Sequence, residues 1–307
     1  MHTLRNFDQR IGGDVDSISR YIAGMPRMFT RRRFMQTSAA AIASGLGFYT
    51  WQVEPHWLEI VRRPLPIVDL PVPLKGCTLA QLSDIHVGRQ VSDRYVAQTF
   101  QRVQALAPDI VVYTGDFISY DTDIYAHADR VYADPPQGRL ATLGILGNHD
   151  YGPGWSQPAV AARLVDLLRA AGIRVLRNEV TEVAGLQIVG MDDLWAGKFS
   201  SVRALAALDR RRPAVALSHN PDTVDLPGWG GFEGWILAGH THGGQCKPPF
   251  LPPPFLPVEN RRYTAGVFDL VGNRRLYISH GVGHTLQVRF NVRPEVTLFE
   301  LQAADAT

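Results

Sequence analysis

Trp235-Ile236-Leu237-Ala238-Gly239-His240-Thr241-His242-Gly243-Gly244-Gln245 is a short apolar run that ends in two histidines one residue apart, set among glycines. A glycine-flanked turn at a strand end can bend both imidazoles toward one point, which is metal-ligand geometry. Alone, the pair is equally readable as two solvated loop histidines. Four other stretches of the chain decide between these readings.

Each has the same construction, an apolar run followed by a polar cluster. Asp84-Ile85-His86 follows Leu79 to Ser83, and Gly115-Asp116 follows Ile110 to Tyr113. Gly147-Asn148-His149-Asp150 follows Leu140 to Leu146, and Ser218-His219-Asn220 follows Ala214 to Leu217. Short apolar runs of this length read as buried strands. Ligands of α/β sheets gather at the carboxyl ends of strands, so these five loops can converge on one site. A lone histidine such as His219 is usually structural, but five strand ends made of carboxylate, imidazole or amide are hard to attribute to chance. Asp84, His86, Asp116, Asn148, His219, His240 and His242 offer oxygen and nitrogen donors without thiolate, which suits Mn, Fe, Zn or Co. Seven donors are too many for one tetrahedral ion and about right for two ions sharing a carboxylate.

Between the runs, Ser92-Asp93 opens a helix through Val96, Phe100, Val103 and Ala107, stopped by Pro108. A second begins at Pro158 and runs through Leu168 to Gly172, and a third spans roughly Val202 to Arg210. Residues 119–138 read as a surface excursion with at most one short helix. Hairpins are expected about Ala184-Gly185 and Gly272-Asn273, and a last strand at Val296 to Leu301. Strands alternating with helices early and hairpins late predict a mixed-sheet α/β sandwich. The biased stretch Pro248 to Pro257 reads by default as a stiff surface loop.

The formal charge of +2 hides an asymmetry: residues 1–43 hold seven arginines and three aspartates, leaving 24 basic against 26 acidic residues in the remainder. That near-neutral part lacks the basic excess of a protein that tracks phosphate backbones, and no nucleic-acid partner is expected. Cys77 and Cys246 follow no C-x-x-C spacing, so neither a disulfide framework nor a thiolate zinc site is indicated. Two free thiols are the favoured reading, with a single bond the alternative in an oxidising compartment.

Near the start, Thr30-Arg31-Arg32-Arg33-Phe34-Met35 precedes a mildly apolar Ala- and Gly-rich run to Trp51. It resembles a twin-arginine export signal, which implies a twin-arginine translocase partner and a location on the extracytoplasmic face of a bacterial cytoplasmic membrane. Ala41-Ile42-Ala43 offers a cleavage site, and Phe34 to Trp51 could instead remain as a membrane anchor; Met25 and Met28 are alternative starts. The organisation expected is a leader over residues 1–51, an extended proline-punctuated linker over 52–76, and a catalytic domain over 77–302.

The ordered set D-x-H, G-D, G-N-H-D, H and G-H-x-H resembles the signature of the calcineurin-like metallophosphoesterases, over about residues 78–301. The resemblance implies a four-layer sandwich of two mixed β-sheets flanked by helices. Residue by residue, it implies one metal held by Asp84, His86, Asp116 and His242 and a second by Asp116, Asn148, His219 and His240, with a metal-bridging hydroxide attacking phosphorus. It makes His149 the group that stabilises developing charge or protonates the leaving oxygen. Asp150 would orient His149, or else act as a capping carboxylate. Purple acid phosphatases carry a tyrosine three residues after the bridging aspartate; here that residue is Ser119, with Tyr120 one place late, so no ferric tyrosinate is expected.

The closer likeness is to the bacterial membrane-associated branch, through Gly239 to Gln245, Ser218 to Asp222, Ser279 to Gly283 and Arg293-Pro294-Glu295-Val296. His280 departs from it, standing where arginine is usual. That branch implies a phosphodiesterase or pyrophosphatase, with a lipid-linked phosphate such as UDP-2,3-diacylglucosamine as a candidate substrate, although an exported domain would not meet a cytoplasmic nucleotide-sugar. The apolar Pro248–Pro257 loop, with Arg261 and Arg262 behind it, is readable either as a seat for such a lipid or as ordinary packing over the core. The alternatives are a phosphomonoesterase of broad specificity and a non-catalytic metal-binding scaffold of the same fold.

Overall fold

A computed structural model describes residues 30–121 and 123–305. The leader before Thr30 lies outside the described residues. The chain divides into two compact units, residues 1–48 and 49–307.

In the first unit, helix α1 (Arg31–Phe48) buries no side chain. Thr30 Oγ1 accepts the Arg33 N–H at its start. Three arginines and a body of Ala, Ser, Thr and Gly make α1 polar for its length, and no helix among the described residues is long and apolar enough to cross a membrane.

The second unit runs β1 (Glu59–Val68), β2 (Thr78–Leu82), α2 (Asp93–Gln104), β3 (Ile110–Thr114), α3 (Ile124–Val131), β4 (Ala141–Ile145), α4 (Pro158–Ala170), β5 (Arg174–Val175), β6 (Glu179–Val183), β7 (Leu186–Gly190), α5 (Ser201–Ala204), β8 (Ala214–Leu217), β9 (Gly234–Ala238), β10 (Gly266–Asp269), β11 (Arg274–Ile278) and β12 (Glu295–Ala304). Two six-stranded mixed sheets result, ordered β1-β12-β2-β3-β4-β5 and β10-β11-β9-β8-β7-β6. β2, β3 and β4 are mutually parallel, as are β7, β8 and β9, so their carboxyl ends lie at one edge of each sheet.

Parallel strands in a layered fold are covered on both faces and read as continuous apolar runs. Leu79, Ile110, Val112 and Leu143 face Ile188, Val215, Leu217 and Leu237 between the sheets. Ala80, Leu82, Val111 and Tyr113 turn outward onto Val96, Phe100, Ala128, Leu164 and Leu168 of the helices. Trimming one of the inner leucines to alanine costs about 2–5 kcal/mol by the usual cavity relation. Directly beneath the five loops, buried Gln81 links the sheets, donating to Thr114 Oγ1 at 3.0 Å and to the Ala238 carbonyl at 2.9 Å.

Two expectations change. The segment read as a linker is extended, but residues 59–68 are a sheet strand, paired in parallel with β12 from Glu59 opposite Glu295 to Val68 opposite Ala304. Pro64 and Pro66 are tolerated because β1 is an edge strand. The helix expected over Val202 to Arg210 is only Ser201–Ala204. Beyond it the N–H groups of Ala206 and Leu208 bond three residues back, to Arg203 and Leu205, tightening the chain into turns that bury Leu205. The outer face of the second sheet is thus covered by α5 and by turns carrying Val224, Trp229 and Phe232.

Candidate metal centre

Past β2 the chain alternates. Ile85 and Val87 plug into the helix-side core, which leaves Asp84 and His86 to point the other way. The Asp84 N–H bonds the Gly115 carbonyl and the His86 N–H the Asp116 carbonyl, each at 3.0 Å, lacing the β2 and β3 loops together. Asp84, His86, Asp116, His240 and His242 all have positive φ, between 49° and 70°. Such conformations are uncommon for side-chain-bearing residues and concentrate where function constrains the backbone. The glycines serve different ends. A Cβ on Gly239 would collide with Ser83 Oγ and Asp84 Oδ2, whereas Gly243 is pressed by His280 and Val292, and Gly244 by Pro253. The latter two therefore admit neighbouring protein, not a phosphate.

The side chains converge. Asp84, His86 and His242 present donor atoms within 4.8 Å of one another, as do Asp116, His219 and His240, and as do His86, Asp116 and His149. Asp116 Oδ2 lies 3.5 Å from His86 Nε2 and 3.2 Å from His219 Nε2. His242 Nε2 is 3.4 Å from Asp84 Oδ1 and 3.0 Å from His86 Nε2, and His240 Nδ1 is 3.2 Å from His219 Nε2. Two contacts orient rings from behind. His219 Nδ1 donates to the Thr114 carbonyl at 2.8 Å, and His86 Nδ1 meets Ser119 Oγ at 2.8 Å. Both Asp84 oxygens accept the His240 N–H at 3.0 Å.

Burial pushes His86, His240 and His242 down, His240 to about 3, so these rings are neutral with lone pairs to give. Burial also raises Asp116, but the surrounding imidazoles His219, His149 and His86 outweigh it and hold this carboxyl well below the usual range. His219 shows the reverse balance: burial disfavours its charge, yet Asp116, Asp84 and Asp193 hold its pKa well above the ordinary value. Asp84 is pushed up to about 6 by burial, partly offset by His219.

Whether these residues fit a metal can be tested on Asn148. Its Oδ1 is buried and has no hydrogen-bond partner, an expensive state that a cation would relieve. The neutral imidazoles, the anionic Asp116 and this orphaned carbonyl fit oxygen- and nitrogen-coordinated ions.

Of the two roles expected of Asp150, its contacts are those of the backbone tie. Its carboxylate accepts the N–H of Ile118 at 3.1 Å and of Gly147 at 2.8 Å. It ties the β3 and β4 loops and is spent on backbone, which is the capping role. His149 is fixed through its own N–H, donated to Asp116 Oδ1 at 2.9 Å, and its ring stands edge-on to His86 at 4.9 Å. His280 is engaged with Glu295, Nδ1 to Oε2 at 3.2 Å. Cys77 and Cys246 are free, half-buried thiols.

Sequence reasoning missed three parts. Ser119 was noted only as a missing tyrosine. Arg289 is fully buried and donates to the carbonyls of His280, Gly281, Gly283 and Val292, with Nη2 3.4 Å from His242 Nδ1. No motif marks it. Asp192-Asp193, just past β7, is a sixth polar cluster at a strand end; Asp193 is buried with Oδ2 unpartnered, and burial pushes it up to about 6.

The profile of the calcineurin-like phosphoesterase family matches residues 77–244. The phosphodiesterase YaeI of Escherichia coli (strain K12) is 35% identical over 282 residues, covering 89% of this chain and 100% of that protein. The metallophosphoesterase YkuE of Bacillus subtilis (strain 168) is 30% identical over 295 residues, covering 91% and 98%. The UDP-2,3-diacylglucosamine pyrophosphatase LpxG of Chlamydia muridarum (strain MoPn / Nigg) is 25% identical over 317 residues, covering 84% and 94%. By its sequence, its two mixed sheets and its His/Asp clusters, the chain belongs to the calcineurin-like metallophosphoesterases, hydrolases that use divalent metals.

Proposed function

We propose that this chain is a dinuclear-metal phosphodiesterase or pyrophosphatase. The observation that carries the reading is the pair of donor clusters meeting at Asp116, whose Oδ2 is flanked by His86 on one side and His219 on the other. In this reading Asp84, His86, Asp116 and His242 hold one ion, and Asp116, Asn148, His219 and His240 the other. Such ions polarise phosphoryl oxygens and acidify water for in-line attack. His149 gives a proton, or a hydrogen bond, to the leaving oxygen. Asp150 keeps the His149 loop in place by holding Gly147 against Ile118. A diester is favoured over a monoester dianion, which calls for added cationic side chains; Arg289, the arginine beside His242, is spent on four carbonyls.

The experiment is a metal count with a diester assay. The purified protein should hold about two transition-metal ions per chain and hydrolyse bis(p-nitrophenyl) phosphate, and Asp116→Ala should lose both properties. Full activity in that variant or after exhaustive chelation would end the two-metal reading.

A lipid-linked phosphate is the substrate class we favour within this reading. Phe250, Leu251 and Phe255, on the loop that follows the site, stand 106%, 60% and 72% exposed, unlike residues packed on a core. UDP-2,3-diacylglucosamine is the candidate that the relatives named for its hydrolysis suggest, but an exported domain would not meet a cytoplasmic nucleotide-sugar, so it competes with the export reading that follows. We further propose export by the twin-arginine route, with residues 1–51 as leader. Lysine at both Arg31 and Arg32 should then block export, and unchanged localisation would refute it.

A further inference from the structure

Two tryptophans beside the metal ligands are used by none of this chemistry. Trp155 lies on the loop after β4, beyond His149, and Trp195 on the loop after β7. Their rings pack together with centroids 4.7 Å apart and planes 33° apart. Trp195 meets His240 perpendicularly at 4.4 Å, and Trp155 stands 6.4 Å from His149. The pair thus reaches from one of the proposed ligands to the proposed proton donor. Both indoles are only half-buried, so they are not core.

The two loops are locked to one another from behind. The Tyr151 hydroxyl donates to Asp192 Oδ1, and Arg177 donates to Asp192 Oδ2 at 3.0 Å and to the Tyr151 oxygen at 2.9 Å. Asn178 Oδ1 accepts the N–H groups of Asp192 and Ser200 at 3.0 Å, and Asp193 Oδ1 that of Ala196 at 2.7 Å. Tyr151 and Asp192 are buried. Trp155 itself is held at φ +55°, a strained conformation for a bulky side chain. A buried polar network and a strained backbone therefore fix two half-buried indoles beside the centre.

We propose that Trp155 and Trp195 form an aromatic subsite for one ester arm of the substrate, taking a planar ring, nucleobase or aryl, attached to the phosphate. The inference rests on the phosphodiesterase reading and adds a selectivity to it. Indoles stack on any planar π system, which gives preference for ring-bearing esters without hydrogen-bond readout.

The test uses the metal-loaded full chain and three diesters that share a p-nitrophenolate leaving group: the methyl, phenyl and thymidine 5′ esters. Trp195→Ala and Trp155→Ala should each lower the kcat/KM preference for ring-bearing over methyl esters, mainly through KM, by about five- to a hundredfold, the range of base–aromatic stacking. Trp195→Phe should retain most of it. A preference lost for thymidine alone assigns a nucleobase, and one lost for both rings assigns aryl groups generally. An equal loss on all three esters is also what stacking of their shared p-nitrophenyl ring would give, so quenching decides that case: an equal loss with metal content intact and no quenching by either ring-bearing phosphate would make the indoles mere packing and overturn the proposal. Quenching of tryptophan fluorescence by thymidine 5′-monophosphate and phenyl phosphate reads the subsite without turnover. If none of the diesters is hydrolysed, the phosphodiesterase reading fails, and quenching decides the subsite separately; absence of quenching would then overturn it too.

Discussion

Ser119 Oγ lies 2.8 Å from His86 Nδ1, on the far side of the ring from the Nε2 that faces Asp116 and His242. A hydroxyl there fixes the rotation of the imidazole, and by accepting from Nδ1–H it suits the tautomer whose Nε2 lone pair is open to an ion. Partners of this kind are worth about 10- to 100-fold in metal affinity. Ser119→Ala should therefore weaken one ion by that factor and leave the other, bound through His219 and His240, nearly unchanged. Isothermal titration of the metal-free protein with Mn or Zn resolves this. Equal weakening of both ions would show that Ser119 supports the loop and not the ring.

His149 lies close to Asp116 and His86, the three presenting donor atoms within 4.8 Å of one another. Its backbone is bound to Asp116, its ring stands edge-on to His86, and Asn148 immediately before it supplies the orphaned carbonyl. His149→Ala should keep about two ions per chain and lose turnover by about 10²–10⁴-fold, the usual worth of positioned proton transfer. The loss should be larger for a diester with a poor alkoxide leaving group than for p-nitrophenolate, which needs less protonation. Loss of metal in this variant would make His149 a ligand, and equal losses with both leaving groups would restrict it to charge stabilisation.

The centre was legible because strand and loop alternate sharply in this chain. Each of the five clusters follows a short, mostly apolar run of four to seven residues, and the parallel order of β2, β3 and β4 brings their ends to one edge. What escaped was set by contacts between distant segments. β1 finds its place only through β12, more than two hundred residues away, and its prolines read as linker until an edge position is known. For Asp150, adjacency to His149 leaves an orienting and a capping role equally open, and only the fold shows that the N–H groups of Ile118 and Gly147 reach its carboxylate. Ser119 and Arg289 carry no spacing signal, since each acts on a residue supplied by another loop, whereas Asp192-Asp193 has the strand-end signal but no histidine or amide beside it.

Metal binding should depend on pH differently at the two clusters. Asp84, at about 6 when buried without a cation, holds a proton below that pH, and an ion bound with His86 and His242 must displace it. Those two rings already lie well below the ordinary histidine value through burial, so they release nothing near neutrality. Affinity at this cluster should thus rise about tenfold per pH unit up to about 6, one proton per ion, and then level off. The other cluster contains His219, whose pKa the carboxylates of Asp116, Asp84 and Asp193 raise well above the ordinary value against the effect of burial. Its proton must leave when the ion binds, so affinity there should go on rising above pH 6.5, the ordinary histidine value, while Asp116, held anionic, adds no step. Competition with a chromophoric chelator between pH 5 and 8 should show two ions with distinct slopes. Asp84→Asn should remove the break near pH 6 from one of them and leave the climb of the other. A single common slope for both ions, or a break that survives in Asp84→Asn, would mean that the two clusters do not bind independently as Asp84 with His86 and His242, and His219 with His240.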